Sequence, residues 1–462
     1  MPLPATYGYS PHPVPLPATP LVYSRPAPII ARYVMSVLVI VGALWGDEAK
    51  GKLVDVLAGD ADLNVRYCGG HNAGHTVAAD GKTFKFHLIP SGILHENCTA
   101  VISGGMVVCP KTLLDELDNL HANAKTTGRL RISKSAHVLF PYHRLLDRLE
   151  EEYRGARRVG TTSRGVGPAY QDKVARFGIR MAEFVDPERF PERLRIALAM
   201  KNRTIQLYGE EPLEYEPLLD EYQEYAERVR PFVGEVEREV NEAVRAGKRI
   251  LFEGAQGTML DLDHGTYPFV TSTYPTAGGA CLGTGLAPGQ IDNVLGVCGA
   301  YATRVGSGPF PSELCGSLAD RIREEGREFG TTTGRPRRCG WLDLVAVRHA
   351  SRISGFTSLA VTRLDVLSGF DQVGLCAAYD IEGTRVDWVP TDMAELEKAE
   401  PLWETMPGWS GDLSLCRKED ELPAQATEFL RRIEAFTETP ISIVSVGARR
   451  EETIILRPDL LW

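Results

Sequence analysis

The chain has 462 residues, 43% apolar and 24% charged, the balance of an ordinary globular protein with room for two or three domains or one large α/β domain. A formal net charge of −10 argues against a broad basic footprint for nucleic acid, and no apolar run approaches the ~18 residues that a membrane helix needs. Nine cysteines, scattered and without a Cys-x-x-Cys pair, cannot all pair and predict reduced thiols in an intracellular, cytoplasmic protein.

Residues 1–34 stand apart, with nine prolines, no acid, and only Arg25 and Arg32 charged. Such a segment cannot bury enough apolar surface to order itself, so a disordered Pro-rich extension is predicted. It lacks the charged start and apolar core of a secretory signal and is poor in Ser and Arg for an organelle signal. A targeting segment and an upstream translation start ahead of Met35 both remain open.

Folding is predicted to begin at MSVLVIVGALW (35–45), a β-branched run too continuous to alternate and therefore suited to a strand buried on both faces. A glycine-rich turn follows, then KLVDVLAG, which predicts a short amphipathic helix closed by Gly59. Further strands are expected at 64–67, 99–104, 249–254, 293–301, 356–366, 372–379 and 441–447, with helical patterns between many of them, including 144–158. The charged block at about 182–248 reads as a helical insertion. Strands alternating with helices predict a large, mostly parallel open α/β sheet flanked by helices, forming a single domain over 35–462.

Six stretches carry Gly, Thr, His, Arg or acidic residues in patterns unlike ordinary connections. GDEAKGKL (46–53) has the Gly-x-x-x-x-Gly-Lys spacing of a phosphate loop after a strand, but Leu53 stands where a magnesium-binding hydroxyl is expected, and Asp47 and Glu48 sit inside the loop. RYCGGHNAGHTV (66–77) gathers His71, Asn72 and His75 in one glycine-rich turn, where the alternative is a plain surface loop. GTTSRGVGPAYQDKVARFGIR (160–180) combines hydroxyls with Arg164, Lys173, Arg176 and Arg180, suited to a phosphate or to a solvated basic loop. FEGAQGTMLDLDHGTYPFVTS (252–272) places Gln256 at a strand end, where an amide can read a base edge. EFGTTTGRPRRCGWLD (328–343) concentrates Thr and Arg in an acidic protein, which implies an anion such as a dicarboxylate or phosphate. In TRLDVL (362–367), Asp365 suits either a guanine N1–H and N2–H₂ pair or a simple helix cap.

Together with SGIL, TRVGSGPFPSEL and SVGARR, and in this order, these motifs make the chain from about Met35 onward resemble the adenylosuccinate synthetase family. The resemblance implies a GTP-dependent carbon–nitrogen ligase that joins inosine monophosphate (IMP) to L-aspartate through a 6-phosphoryl intermediate, releasing GDP and phosphate, the first committed step from IMP to AMP. It implies that Asp47 accepts the N1 proton of IMP and, with the Gly74 carbonyl, ligates one Mg²⁺ per subunit; that His75 is a general acid; and that Gln256 completes the catalytic set. GTP would be held by Gly46, Glu48, Ala49, Lys50, Gly51, Lys52, Gly74, His75, Thr76 and Arg337, with its base against Arg363, Leu364, Asp365, Ser445, Val446 and Gly447. IMP would meet Asp47, Lys50, Asn72, Ala73, Thr162, Gln256, Thr271 and Arg335. Arg176 would reach the partner's site in a homodimer. Aspartate would be bound by Thr331, Thr332, Thr333, Arg335 and Arg337. Neither nucleic acid nor a membrane is implied as a partner.

This chain departs from the family pattern at four places. Ala49 replaces a customary Gly, and a positive φ there would strain the methyl group. Arg363 replaces Lys, and an arginine can still stack on a base. Gly299 and Ala448 replace a customary Lys and Pro. Two competing readings are a ligase of the same fold acting on another purine nucleotide, and a non-catalytic nucleotide sensor, which should have lost the acid and base kept here.

Overall fold

The computed structural model describes residues 36–462 apart from 73, 80, 81, 124, 126–128 and 331–333. Ten strands form the central sheet: β1 (Val37–Gly42), β2 (Leu63–Arg66), β3 (Thr99–Ile102), β4 (Leu130–Ser133), β5 (Val233–Gly234), β6 (Ile250–Glu253), β7 (Asn293–Gly299), β8 (Ser358–Thr362), β9 (Ile441–Ser445) and β10 (Thr453–Ile455). Their order is β10-β9-β8-β7-β1-β6-β2-β3-β4-β5. All neighbours are parallel except the edge pair β9 and β10. Every residue of β1 is buried, as a parallel strand covered on both faces requires.

Register decides where the site lies. Ile40 of β1 stands opposite Glu253 of β6, and Glu253 stands opposite Arg66 of β2. On the other side, Gly42 pairs with Val297 of β7, and Gly299 pairs with Thr362 of β8. The carboxyl ends of these strands therefore open on one rim, where parallel sheets collect their ligands.

Helices α1 (Lys50–Ala58), α2 (Val166–Ala175), α3 (Phe190–Leu207), α4 (Tyr215–Val229), α5 (Val236–Arg245) and α6 (Leu344–Ser354) stand among those that surround the sheet. The block at 182–248 is mostly helical, with the two residues of β5 and connecting turns such as 208–214 between its helices. It shares a second apolar cluster with residues from 77 to 181, in which Phe140, Phe184, Phe190 and Tyr222 pack ring to ring. The run at 372–379 is a strand, yet it leaves the central sheet. Gln372–Ile381 belongs to a second, five-stranded sheet with Tyr301–Arg304, Arg338–Asp343, Thr384–Val386 and Glu400–Pro407. Sheet membership depends on partners distant in sequence, which an apolar run does not encode.

Candidate active site

After β1 the chain turns through Gly46, Asp47 and Ala49, at φ 90°, 62° and 61°, before α1 starts. The predicted strain at Ala49 is therefore real. Gly42 has no room for a side chain, because a Cβ would lie 2.6 Å from the Gln256 carbonyl oxygen and 2.8 Å from Glu48 Oε2 and Lys50 Nζ. The two acids of the loop separate cleanly. Glu48 is buried: its Oε1 accepts from Leu44 N (3.0 Å) and Gly46 N (2.9 Å), and its Oε2 lies 2.6 Å from Lys50 Nζ. It fixes the loop from inside and neutralises Lys50. Asp47 is 38% exposed and points the other way, with Oδ2 3.0 Å from Arg337 Nε.

The phosphate-loop spacing suggests that Lys52 should face phosphates. Instead its ammonium is held by Ser445 Oγ (2.7 Å), Gly447 O (2.7 Å) and Glu452 O (2.9 Å), and burial pushes its pKa down to about 8. Lys52 thus ties α1 to the loop after β9. Val446 is buried there, and its N–H donates to Glu452 O at 3.0 Å.

Beyond β6, Gln256 adopts φ 56°, and its side-chain oxygen is buried without a hydrogen-bond donor. A Cβ on Gly69, in the segment after β2, would sit 3.4 Å from that oxygen, so the amide lies against the GGHNAGHT turn. Within the turn the histidines differ. His71 is buried and lowered to about 3, chiefly by burial and then by Arg164, whose guanidinium donates to the His71 carbonyl at 2.8 Å. Burial thus favours the neutral ring, whose Nδ1 is enclosed without a hydrogen-bond partner. Asn72 Oδ1 accepts from Gly70 N at 3.2 Å. Gly74 is exposed, and His75 opens a hairpin, His75–Ala79 with Lys82–Phe86. Ala73 and the side chains of His75 and Thr76 lie outside the described residues.

The loop 159–165 is gripped from below. Glu151 accepts from the backbone of Gly160 and Thr161, and Asp147 from Thr161 Oγ1 and Gly165 N, which leaves Thr162 exposed. Arg176 caps α2 at φ 66° and is exposed beside Val174 and Phe177. Thr271 is half-buried, with its N–H on Leu260 O at 2.9 Å. Thr331, Thr332 and Thr333 lie outside the described residues, whereas Arg335 is exposed and Arg337 buried.

At the end of β8, Arg363 (φ 61°) starts the short turn Leu364–Leu367, and burial raises the Asp365 carboxyl above its usual range. Leu364 is buried beneath it. The Arg363 guanidinium is held in place from within: it pairs with Glu328 and donates to Tyr301 Oη at 3.0 Å. Buried Glu328 also accepts from the Tyr301 hydroxyl and from Arg337 at 2.6 Å. Sequence reasoning passed over Glu328 and Tyr301. The available signal was the single acid that opens the Thr- and Arg-rich stretch 328–343.

A sequence profile described as adenylosuccinate synthetase matches residues 39–454. The chain belongs to the adenylosuccinate synthetase family. An adenylosuccinate synthetase of Carboxydothermus hydrogenoformans is 51% identical over 423 residues, covering 91% of this chain and 99% of that protein. One from Desulforamulus reducens is 52% identical with the same coverage. Among solved structures, fully ligated adenylosuccinate synthetase from Plasmodium falciparum superposes with a TM-score of 0.87 at 36% identity, over 91% of this chain and all of that one. A cyanophage S-2L succinoaminodeoxyadenylate synthetase, at TM-score 0.58 and 20% identity over 92% of this chain and 97% of that one, shares the fold. As a member of the adenylosuccinate synthetase family, the chain is a GTP-dependent ligase of purine biosynthesis.

Proposed function

We propose that the residues on this rim carry out the family's ligation of IMP and L-aspartate in the following roles. Asp47 takes the N1 proton of IMP, which builds negative charge on O6. O6 then attacks the γ-phosphorus of GTP, and GDP leaves. The aspartate amine attacks C6, and inorganic phosphate departs with the O6 oxygen. His75 donates a proton toward the oxygens as charge develops. The observation that carries this reading is the division of labour in the loop: Glu48 is consumed by structure, while Asp47 presents a half-exposed carboxylate 3.0 Å from Arg337 Nε.

Gln256 supports the same reading. A buried acceptor without a donor is unfavourable by roughly 1–3 kcal/mol, and a base N–H would satisfy it. Asp365, desolvated at the end of β8, would accept from the guanine edge, with Ser445 and Gly447 across from it. Arg335 and Arg337 would hold the aspartate carboxylates, and Asn72, Thr162 and Thr271 would hold IMP.

An oxygen-only donor set of one exposed carboxylate, Asp47, and the carbonyl of exposed Gly74 fits Mg²⁺, which keeps phosphate oxygens and water as its other ligands. The ion would supply charge neutralisation on the phosphates. Exposed Arg176, flanked by exposed Val174 and Phe177, supports a homodimer in which it reaches the partner's site, and we place the enzyme in the cytoplasm.

The test is direct. Purified full-length protein is incubated with IMP, aspartate and Mg²⁺ with either GTP or ATP, and adenylosuccinate absorbance is followed. Product with GTP and little with ATP is expected. Folded protein that forms no product with GTP would overturn the reading.

A further inference from the structure

Glu328 is completely buried, and a lone buried carboxylate is strongly unfavourable unless it is paired and hydrogen-bonded. Its two oxygens are divided between two parts of the site. One receives Arg363 and the Tyr301 hydroxyl, and the other receives Arg337 at 2.6 Å. Arg337, itself buried, turns its Nε to Asp47 Oδ2 at 3.0 Å. Charges thus alternate along one line, Asp47, Arg337, Glu328, Arg363, from the phosphate loop after β1 to the turn after β8.

Backbone geometry reinforces the junction. The Glu328 carbonyl accepts from Arg337 N at 2.9 Å, and Phe329 bridges to Pro336. The Thr- and Arg-rich loop is therefore pinched shut at its base by the same two residues whose side chains pair. Gly326 keeps the arrangement tight, because a Cβ there would meet the Tyr301 hydroxyl and come within 3.2 Å of Glu328 Cγ.

We propose that Glu328 is a positioning residue for the ligation: its buried charge holds the Arg337 guanidinium against Asp47 and ties that pair to the base-reading turn at Arg363. Glu328 touches no substrate; it acts through Arg337. The proposal rests on the assignment of Asp47 and Arg337 to the reacting end of the site. Its consequence is that removing the charge impairs turnover more than nucleotide binding, since Asp365 and the phosphate-loop backbone remain.

The test compares two variants of the full-length protein. Glu328→Gln keeps the shape and loses the charge; Glu328→Asp keeps the charge and loses length. With GTP, IMP and aspartate, Glu328→Gln is expected to lower kcat about tenfold or more while KM for GTP changes less than about threefold, the signature of an interaction that matters for the reacting state. Glu328→Asp should retain more kcat than Glu328→Gln. A filler of space would show the opposite order, and that order, or a Glu328→Gln kcat within about threefold of wild type, would overturn the proposal. Thermal unfolding establishes that each variant folds. Should Glu328→Gln not fold, Tyr301→Phe removes only one hydroxyl from the same carboxylate; a lower kcat with unchanged KM for GTP supports the role, and an unchanged kcat refutes it. Wild-type protein that forms no adenylosuccinate defeats the functional reading, whereas an active wild type with an undisturbed Glu328→Gln defeats the positioning role alone.

Discussion

The rim of the central sheet and the helical block at 182–248 solve different physical problems. Around the rim, Asp47 and Ala49 after β1, Gln256 after β6 and Arg363 after β8 all hold positive φ without being glycine. Each such residue is unfavourable by roughly 1–2 kcal/mol relative to relaxed backbone. In 182–248 only glycines, Gly209 and Gly247, do so. There the helices close over stacked rings, with Phe140 and Tyr222 centroids 4.7 Å apart, and their surfaces carry local pairs such as Arg193 with Glu183 at 2.8 Å and Arg238 with Glu242 at 2.7 Å. Strain gathers where the chain must aim polar groups into a shared space, and relaxed backbone suffices where it only has to pack.

The strongest test of that contrast removes one charge from each region. Asp47→Ala should reduce kcat by about 10³-fold or more, because base and metal ligand are lost together, while affinity for a non-hydrolysable GTP analogue falls by no more than roughly tenfold. Arg238→Ala, in an exposed helical pair, should leave steady-state rates unchanged. An Asp47→Ala enzyme within tenfold of wild type, or an Arg238→Ala enzyme with clearly altered kinetics, would erase the distinction between the regions.

Much of this organisation was legible in the sequence. The strand at β1 follows from an apolar run without alternation, and the site's position follows from glycine turns placed after strands. What escaped is the direction and company of individual side chains. Asp47 and Glu48 are chemically alike and adjacent, and the positive φ values at 46, 47 and 49, with the donors of Leu44, Gly46 and Lys50, turn one outward and the other in. Lys52 has the spacing of a phosphate lysine, but a loop about 400 residues away captures its ammonium. Glu328 acquires its meaning from Tyr301 and Arg363, which the chain delivers from separate sheets. Spacing patterns describe neighbours along the chain, and these three facts concern neighbours across it.

Asp343 sharpens the comparison from the core, because its buried carboxyl serves the fold through hydrogen bonds and its charge works against it. It caps α6 by accepting from Ala346 N (3.0 Å), accepts from Tyr379 Oη (2.8 Å), and burial pushes its pKa up from 3.8 to about 6. A raised acid pKa means that the folded state binds the proton more tightly than the unfolded chain. Its contribution to stability is therefore fully present below pH 3.8 and is lost as pH rises through about 6. Asp343→Asn keeps a capping oxygen and cannot ionise. Relative to wild type, the variant should gain on the order of 2–3 kcal/mol in unfolding free energy between pH 4 and pH 7. Denaturant titrations at several pH values measure this, and a wild-type-to-variant difference that stays flat would show that the carboxyl is not desolvated.

The smallest expected effect bears most directly on the rim. Ala49 occupies the left-handed region (φ 61°, ψ 29°) at the N-cap of α1, and no side-chain hydrogen bond caps the helix there. Two opposing terms decide what Ala49→Gly does. Relief of the Cβ clash is worth about 1–2 kcal/mol, and glycine is also the better N-cap of the two. Against this, the more flexible unfolded chain of the glycine variant offsets about 0.4–1 kcal/mol. The first term is larger, so Ala49→Gly should stabilise the fold by about 0.5–1 kcal/mol. GTP affinity should be equal or better, since the loop reaches the same geometry with less strain. Denaturant midpoints and equilibrium binding of a GTP analogue read the two quantities separately. A destabilised variant would mean that packing of the Ala49 methyl outweighs the strain. A stabilised variant with weaker GTP binding would mean instead that the strained methyl holds the loop in its ligand-ready form, so that relaxing it lets the loop wander.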